Sequence, residues 1–188
     1  MRVAVYSGSF DPLHIGHLAI LERICSDGRY DAVYLVVSPQ NPLKDPSKAA
    51  NARARFDAAV QAVARHPELP VRVEGIEMEM APPHYTVRTL DALAAREPQN
   101  RFTLVMGADN LAVIRDWKDW RRILTEYGVA VYPRAGFDLK AIRKELAALA
   151  VPSRPFKIRL LDAPLVEISS TRIREGIARG EDMSDYLM

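Results

Sequence analysis

The chain has a single cysteine, Cys25, among its 188 residues. An internal disulfide is therefore excluded, and this usage fits a reducing compartment. Cys25 falls within an apolar helical pattern, where a buried, inert thiol is expected. Long apolar runs are also missing: no stretch approaches the ~20 residues of a membrane-spanning helix. The apolar start, Val3 to Tyr6, is shorter than the core of a secretory signal. These absences lead to the expectation of a cytoplasmic protein with no membrane partner. Charge of one sign is not in excess either. The 26 Lys and Arg against 24 Asp and Glu leave a net +2, so nothing demands nucleic acid as a partner. A local basic excess facing a small anion stays open. There is no internal repeat, low-complexity tract or linker. The remaining composition, 48% hydrophobic and 27% charged, is ordinary for a globular chain, and the length suits one domain over residues 1–188.

Short β-branched runs alternate with helical patterns. The expected strands are Arg2 to Tyr6, Ala32 to Val37, Val71 to Glu74, Phe102 to Met106, Val129 to Tyr132 and Lys157 to Leu161. They are nearly continuous in apolar residues, as strands covered on both faces should be. Between them the periodicity predicts helices over Ile15 to Ser26, Asn51 to Arg65, Thr86 to Arg96, Trp117 to Glu126, Leu139 to Leu149 and Ser170 to Arg179. Asn51 suits an N-cap and Gly180 the position just past the last helix. The alternation predicts an α/β fold: doubly wound and Rossmann-like, with a mostly parallel sheet and helices on both faces. Such sheets take ligands outside the carboxyl ends of their strands.

The run Ser7-Gly8-Ser9-Phe10-Asp11-Pro12-Leu13-His14-Ile15-Gly16-His17 sits between the first strand and the first helix. A small-residue turn offers backbone N–H groups, a helix N-terminus adds partial positive charge, and two imidazoles add donors, which together suit an anion. His14 and His17, three apart, face the same way if both lie in the first helical turn. Metal ligation by the pair is an alternative, although the spacing fits no usual zinc motif. Capping or packing is another. A second run, Ile168-Ser169-Ser170-Thr171-Arg172-Ile173-Arg174, places hydroxyls at a helix start ahead of arginines. It suits phosphate binding, or else an ordinary capped helix with a basic face.

Gly8 to Leu18 resembles the signature of the HxGH nucleotidyltransferase superfamily, and His14-Ile15-Gly16-His17 also spells the related signature of class I aminoacyl-tRNA synthetases. The run 168–174 resembles the ISSTxIR motif of the nicotinate-nucleotide adenylyltransferase family. Tyr85-Thr86 through Leu90 resembles its YTxxTL helix start, Gly107-Ala108-Asp109-Asn110-Leu111 its G-x-D-x-L segment, and Trp117 falls where that family sets an aromatic against the nicotinate ring. The resemblance runs from residue 1 to about 180. There are departures: Ser7 and Ser9 stand where glycine and threonine are common, and Asn41-Pro42-Leu43-Lys44 stands where many members have Pro-Pro-His-Lys.

The resemblance implies adenylyl transfer from ATP, with Mg²⁺, to nicotinate mononucleotide. It implies that Ser7, Gly8, Ser9 and Phe10 surround the reacting phosphates while His14 and His17 donate to them. Lys44 would bridge the acceptor phosphate, and Ser170, Thr171 and Arg174 would hold the β- and γ-phosphates. Gly107, Asp109 and Arg134 would bind ATP, with Asp109 on a ribose hydroxyl, and Ile168 and Ser169 would touch the adenine. Ser38, Asn41, Thr86, Val87, Trp117 and Lys118 would form the mononucleotide pocket. The assembly is open, with a homodimer compatible. A helix N-terminus disfavours imidazolium and a triphosphate favours it, so the charge of His17 is left open. Rival expectations are a related transferase acting on nicotinamide mononucleotide or phosphopantetheine, and a nucleotide sensor without catalysis.

Overall fold

In the computed structural model, which describes residues 1–39, 51–165 and 168–188, six parallel strands form one sheet in the order β3-β2-β1-β4-β5-β6. The strands are β1 (Arg2–Gly8), β2 (Ala32–Val37), β3 (Val71–Glu74), β4 (Arg101–Gly107), β5 (Val129–Tyr132) and β6 (Ile158–Leu160). The register sets Val5 beside Tyr34 on one side and Leu104 on the other. Side chains alternate across a strand, so β1 feeds two cores. Val3 and Val5 enter a core with Leu90, Leu93, Leu111 and Ile123, which come from α3 (Thr86–Arg96), α4 (Ala108–Ala112) and the turns after it. Ala4 and Tyr6 enter the other, with Leu21 and Ile24 of α1 (Ile15–Ser26) and Ala59 and Ala62 of α2 (Ala52–Ala64). Helices thus cover both faces, as the β-α alternation predicts.

The chain winds outward from β1 through β2 to β3, then returns and winds the other way from β4 through β5 to β6. The crevice between the carboxyl ends of β1 and β4 is therefore the switch point at which such folds receive ligands. Gly8 and Gly107 close those two strands.

Two local expectations are corrected. The helix expected over Trp117 to Glu126 is broken. Trp117 is extended (φ −81, ψ 144) and Asp119 is left-handed (φ 51); only α5 (Trp120–Arg122) is α-helical before a π turn over Ile123–Tyr127. Gly128 ends that turn at φ +81, where a Cβ would lie 2.8 Å from Lys157 Cβ. Asn51 does stand at the start of α2, but at φ 80 its side chain caps nothing, and only its carbonyl accepts from the Arg55 N–H. By contrast Gly180 follows α7 (Ser170–Ala178) at φ +78, with its N–H on Ile177 O, as expected of a residue just past a helix. A further helix, α6 (Leu139–Ala147), lies between β5 and β6 with Asp138 accepting from two of its first N–H groups. No helix among the described residues is long and apolar enough to cross a membrane. Burial raises the half-buried Cys25 thiol to about 11, so it stays protonated.

Candidate active site

Between β1 and α1 the chain turns through Phe10, whose φ of 46 is left-handed. The turn holds this strained form because the ring is buried. It packs edge-on to Tyr6 at 5.3 Å and to His17 at 5.1 Å. It also needs a glycine beneath it, since a Cβ on Gly8 would lie 3.0 Å from the ring.

His14 is the N-cap of α1. Its Nδ1 accepts from the Gly16 N–H at 3.1 Å, while the Nδ1 of His17 accepts from the His14 N–H at 3.2 Å. The two imidazoles form a reciprocal cap and stack with centroids 3.7 Å apart. A ring nitrogen that accepts from an amide carries no proton. In the neutral state, therefore, both rings are protonated on Nε2. Burial, then the Arg134 charge, brings the His14 pKa down to about 4. Burial, then His14 and Arg134, holds His17 well below the ordinary imidazole range. The charge that the sequence leaves open is thus resolved for the free protein: two neutral rings, each with an Nε2–H donor.

These rings form one wall of a crevice closed by Tyr132, Arg134, Pro164 and Ile168. Arg134 lies over the Tyr132 ring at 5.3 Å. Its buried Nε and the buried Asp109 Oδ1 are 3.8 Å apart, and neither makes a hydrogen bond. A donor and an acceptor left unmatched side by side are suited to a polar ligand that bridges them. Gly107 makes the space: a Cβ there would sit 2.3 Å from Asp109 Oδ1.

The second motif docks onto the first across more than 150 residues of chain. Ser169 caps α7 by accepting from the Arg172 N–H at 3.2 Å. Ser170 Oγ donates to the Pro12 carbonyl at 3.1 Å. Arg174 Nη1 donates to the Asp11 carbonyl at 2.6 Å and lies 3.6 Å from the Asp11 carboxylate, while Nη2 donates to Thr171 Oγ1 at 3.3 Å. The hydroxyl of Ser170, expected on a phosphate, is here used as a brace. Buried Ile168 and Ile173, packed with Met183, root this helix.

Thr86 opens α3, no side chain caps that helix, and the Arg88 and Thr89 N–H groups go to the Tyr85 carbonyl at 2.9 and 3.2 Å. Val87 lies in the core that Trp117 packs against, and Lys118 is exposed. Trp117 Nε1 is buried without a partner. Ser38 follows β2 and gives its N–H to Gly8 O at 2.9 Å, joining the carboxyl ends of β1 and β2. Ser7 sits in β1 beside Val36. Lys44 and Asn41 lie outside the described residues.

Several contributors carry no sequence motif. Tyr6 and Tyr132 meet through their hydroxyls at 3.4 Å under His17. Met188 is buried, and its N–H reaches Leu13 O at 3.4 Å beside the His14–Leu187 bridge. Glu77 is 2% exposed and accepts from Thr89 Oγ1 at 2.7 Å. Contacts made across such sequence distances leave no local pattern to read. Among the described residues no cluster of three or more His, Cys, Asp or Glu side chains could hold a metal ion.

A family model described as cytidylyltransferase-like matches residues 5–176. The chain is 34% identical over 187 residues to a protein of Flavobacterium johnsoniae named a probable nicotinate-nucleotide adenylyltransferase, covering 100% of this chain and 92% of that one. A protein of the same name from Cytophaga hutchinsonii is 36% identical over 188 residues, with 100% and 91% covered. Among solved structures, the Plasmodium falciparum nicotinic acid mononucleotide adenylyltransferase complexed with NaAD superposes with a TM-score of 0.78 over 99% of this chain and 90% of its own. At 20% identity that likeness speaks for the fold alone.

Proposed function

The chain belongs to the cytidylyltransferase-like family and, within it, to the nicotinate-nucleotide adenylyltransferases, and from that premise we propose how its crevice carries out the transfer. The enzyme joins ATP to nicotinate mononucleotide, giving nicotinate adenine dinucleotide and pyrophosphate. A phosphate oxygen of the mononucleotide attacks the α-phosphorus of ATP. The new P–O–P link forms as the bond from the α-phosphorus to the bridging oxygen breaks, and that electron pair leaves with pyrophosphate. The attacking phosphate is already ionised near neutral pH, since its second pKa is about 6. The protein therefore needs no base and no nucleophile of its own. Its task is to position two mutually repelling anions and to stabilise charge on the departing group.

The observation that carries this reading is the pair of neutral Nε2–H donors at the β1/β4 switch point. Neutral rings donate without the cost of charging a buried imidazole, and amide-fixed Nδ1 atoms orient them before substrate arrives. His14 and His17 serve the α- and β-phosphates, and the Ser7 to Phe10 turn supplies backbone contacts. Arg174, with Thr171, serves the β- and γ-phosphates from α7, whose start Ser169 and Ser170 hold against the turn. Asp109 and Arg134 present the unmatched acceptor and donor that a ribose hydroxyl can bridge. Ile168 provides an apolar surface for adenine. Lys44 is assigned to the acceptor phosphate, and Ser38 and Asn41 to the mononucleotide, by resemblance.

Mg²⁺ arrives with ATP, as part of the substrate. The uncapped start of α3 at Thr86 and Val87 favours a carboxylate through its N–H groups and dipole. That supports the acid over the amide, with Trp117 and Lys118 flanking the ring. Residues 1–188 act as one domain of a cytoplasmic enzyme.

The test is an acceptor panel. With MgATP and the native protein, pyrophosphate release is expected with nicotinate mononucleotide and at least about tenfold less with nicotinamide mononucleotide, the ratio that one helix-end carboxylate contact worth up to ~2 kcal/mol allows. Turnover only with phosphopantetheine would defeat the assignment. Binding of both nucleotides with no pyrophosphate released would make the protein a sensor.

A further inference from the structure

The helix α2 buries Arg55, Ala59 and Ala62, an inward stripe of two alanines and one arginine. Arg53, two residues earlier, is exposed and pairs with Asp57 at 3.1 Å. Arg55 is instead 7% exposed. Its Nη1 donates to the Ser9 carbonyl at 2.5 Å and the Ser38 carbonyl at 2.9 Å, and its Nη2 to the Pro39 carbonyl at 3.0 Å. One guanidinium therefore ties the loop leaving β1 to the loop leaving β2.

A buried charge is costly unless it is hydrogen-bonded, and nothing in the packing of α2 calls for one. The carbonyls it engages explain its presence. In a trans peptide the C=O and the N–H point in opposite directions. With the Ser9 carbonyl drawn to Arg55, the Phe10 N–H is presented on the opposite side of the turn. The same peptide precedes the left-handed Phe10, a conformation a phenylalanine adopts only when its surroundings impose it. Asp11, the next residue, lies close enough to stabilise the guanidinium charge and also faces Arg174 at 3.6 Å.

We propose that Arg55 is a positioning residue for the phosphate site. Its fork fixes the Ser9–Phe10 and Ser38–Pro39 loops in one geometry, so that the turn's N–H groups and the two imidazoles meet the same anion. This rests on the adenylyl-transfer reading and deepens it. Arg55 does not touch substrate; it acts through the turn.

The test compares native protein with R55K and R55A in thermal unfolding, turnover and binding of inorganic pyrophosphate. A lysine keeps the charge, but its one nitrogen lacks the planar fork by which Nη1 and Nη2 engage carbonyls of two loops. R55K is expected to fold, to lose about 10- to 100-fold in kcat, as a loop displaced by an ångström would, and to bind pyrophosphate about tenfold more weakly, ~1.4 kcal/mol. Methylguanidinium is expected to restore activity to R55A where methylammonium does not, a rescue that a general loss of folding would not show. A folded R55K with native kcat and native pyrophosphate affinity overturns the proposal, as does a folded R55A that methylguanidinium leaves inactive. If R55A does not fold, R55K decides. A native protein that makes no dinucleotide would overturn the functional reading instead, and the pyrophosphate affinities would still judge Arg55.

Discussion

His17→Ala turns over at least about 100-fold more slowly than the native enzyme, because one preorganised donor to charge that develops in the transition state is worth 10²–10³ in kcat. The KM for ATP moves far less, since the donor is matched to the departing charge. His17 also has a second duty, accepting from the His14 N–H at 3.2 Å and so closing the cap of α1. Losing a cap costs about 1 kcal/mol of stability, so His17→Ala also melts lower. His17→Glu separates the two duties. A glutamate at this third helical position can accept from the cap N–H, which restores the melting temperature, but its carboxylate has no N–H to donate. Its kcat stays low. Steady-state kinetics with thermal melts on both variants reads this directly, and near-native kcat in His17→Ala would remove the imidazole from the mechanism.

The pH dependence follows from the same geometry. Both imidazoles are neutral, with His14 at about 4, below the 6.5 of a free histidine. The proton is refused in the folded state, so stability from these rings is complete above about 6.5 and is lost as pH falls toward 4. Between pH 8 and 6.5 they do not change charge. A fall in kcat/KM near pH 6 belongs to the acceptor phosphate, whose second pKa is about 6.

Arg174→Met lowers kcat/KM for ATP by about 100-fold, the value of one or two charge-assisted hydrogen bonds at 1.5–3 kcal/mol each. In the free protein this guanidinium rests on the Asp11 carbonyl at 2.6 Å and beside its carboxylate at 3.6 Å. A triphosphate offers more charge than one carboxylate, so the guanidinium is expected to exchange partners when ATP binds. The exchange also loosens α7 from the turn, which Ser170 continues to hold through Pro12 O. Ser170→Ala is the control: it removes the brace and leaves the cation, and its loss is within about tenfold, one neutral hydrogen bond of 0.5–1.5 kcal/mol. Equal losses in the two variants would mean that Arg174 only braces the turn.

The sheet was legible because its inner strands, β1, β2, β4 and β5, are nearly continuous apolar runs, as a doubly covered parallel sheet requires. The two motifs were legible because each is local: a turn and a helix start lie within a dozen residues. The failures have equally specific causes. Asp119 takes a left-handed conformation that no residue pattern announces, and it breaks a segment whose apolar spacing reads as one helix. Arg55 carries no signal in the sequence because its partners are backbone carbonyls, which have no sequence identity. The bond from Ser170 Oγ to the Pro12 carbonyl, 158 residues away in the chain, leaves no local pattern to read. The charge of His17 depends on which ring nitrogen meets an amide, and a sequence carries no record of that.

The most direct measurement follows the label of [α-³²P]ATP and, separately, of [γ-³²P]ATP, with nicotinate mononucleotide and the native protein. The α-label is expected in the dinucleotide and the γ-label in pyrophosphate, both dependent on the mononucleotide. An α-label that remains in ATP, or a γ-label that appears on the acceptor, would contradict adenylyl transfer at this site.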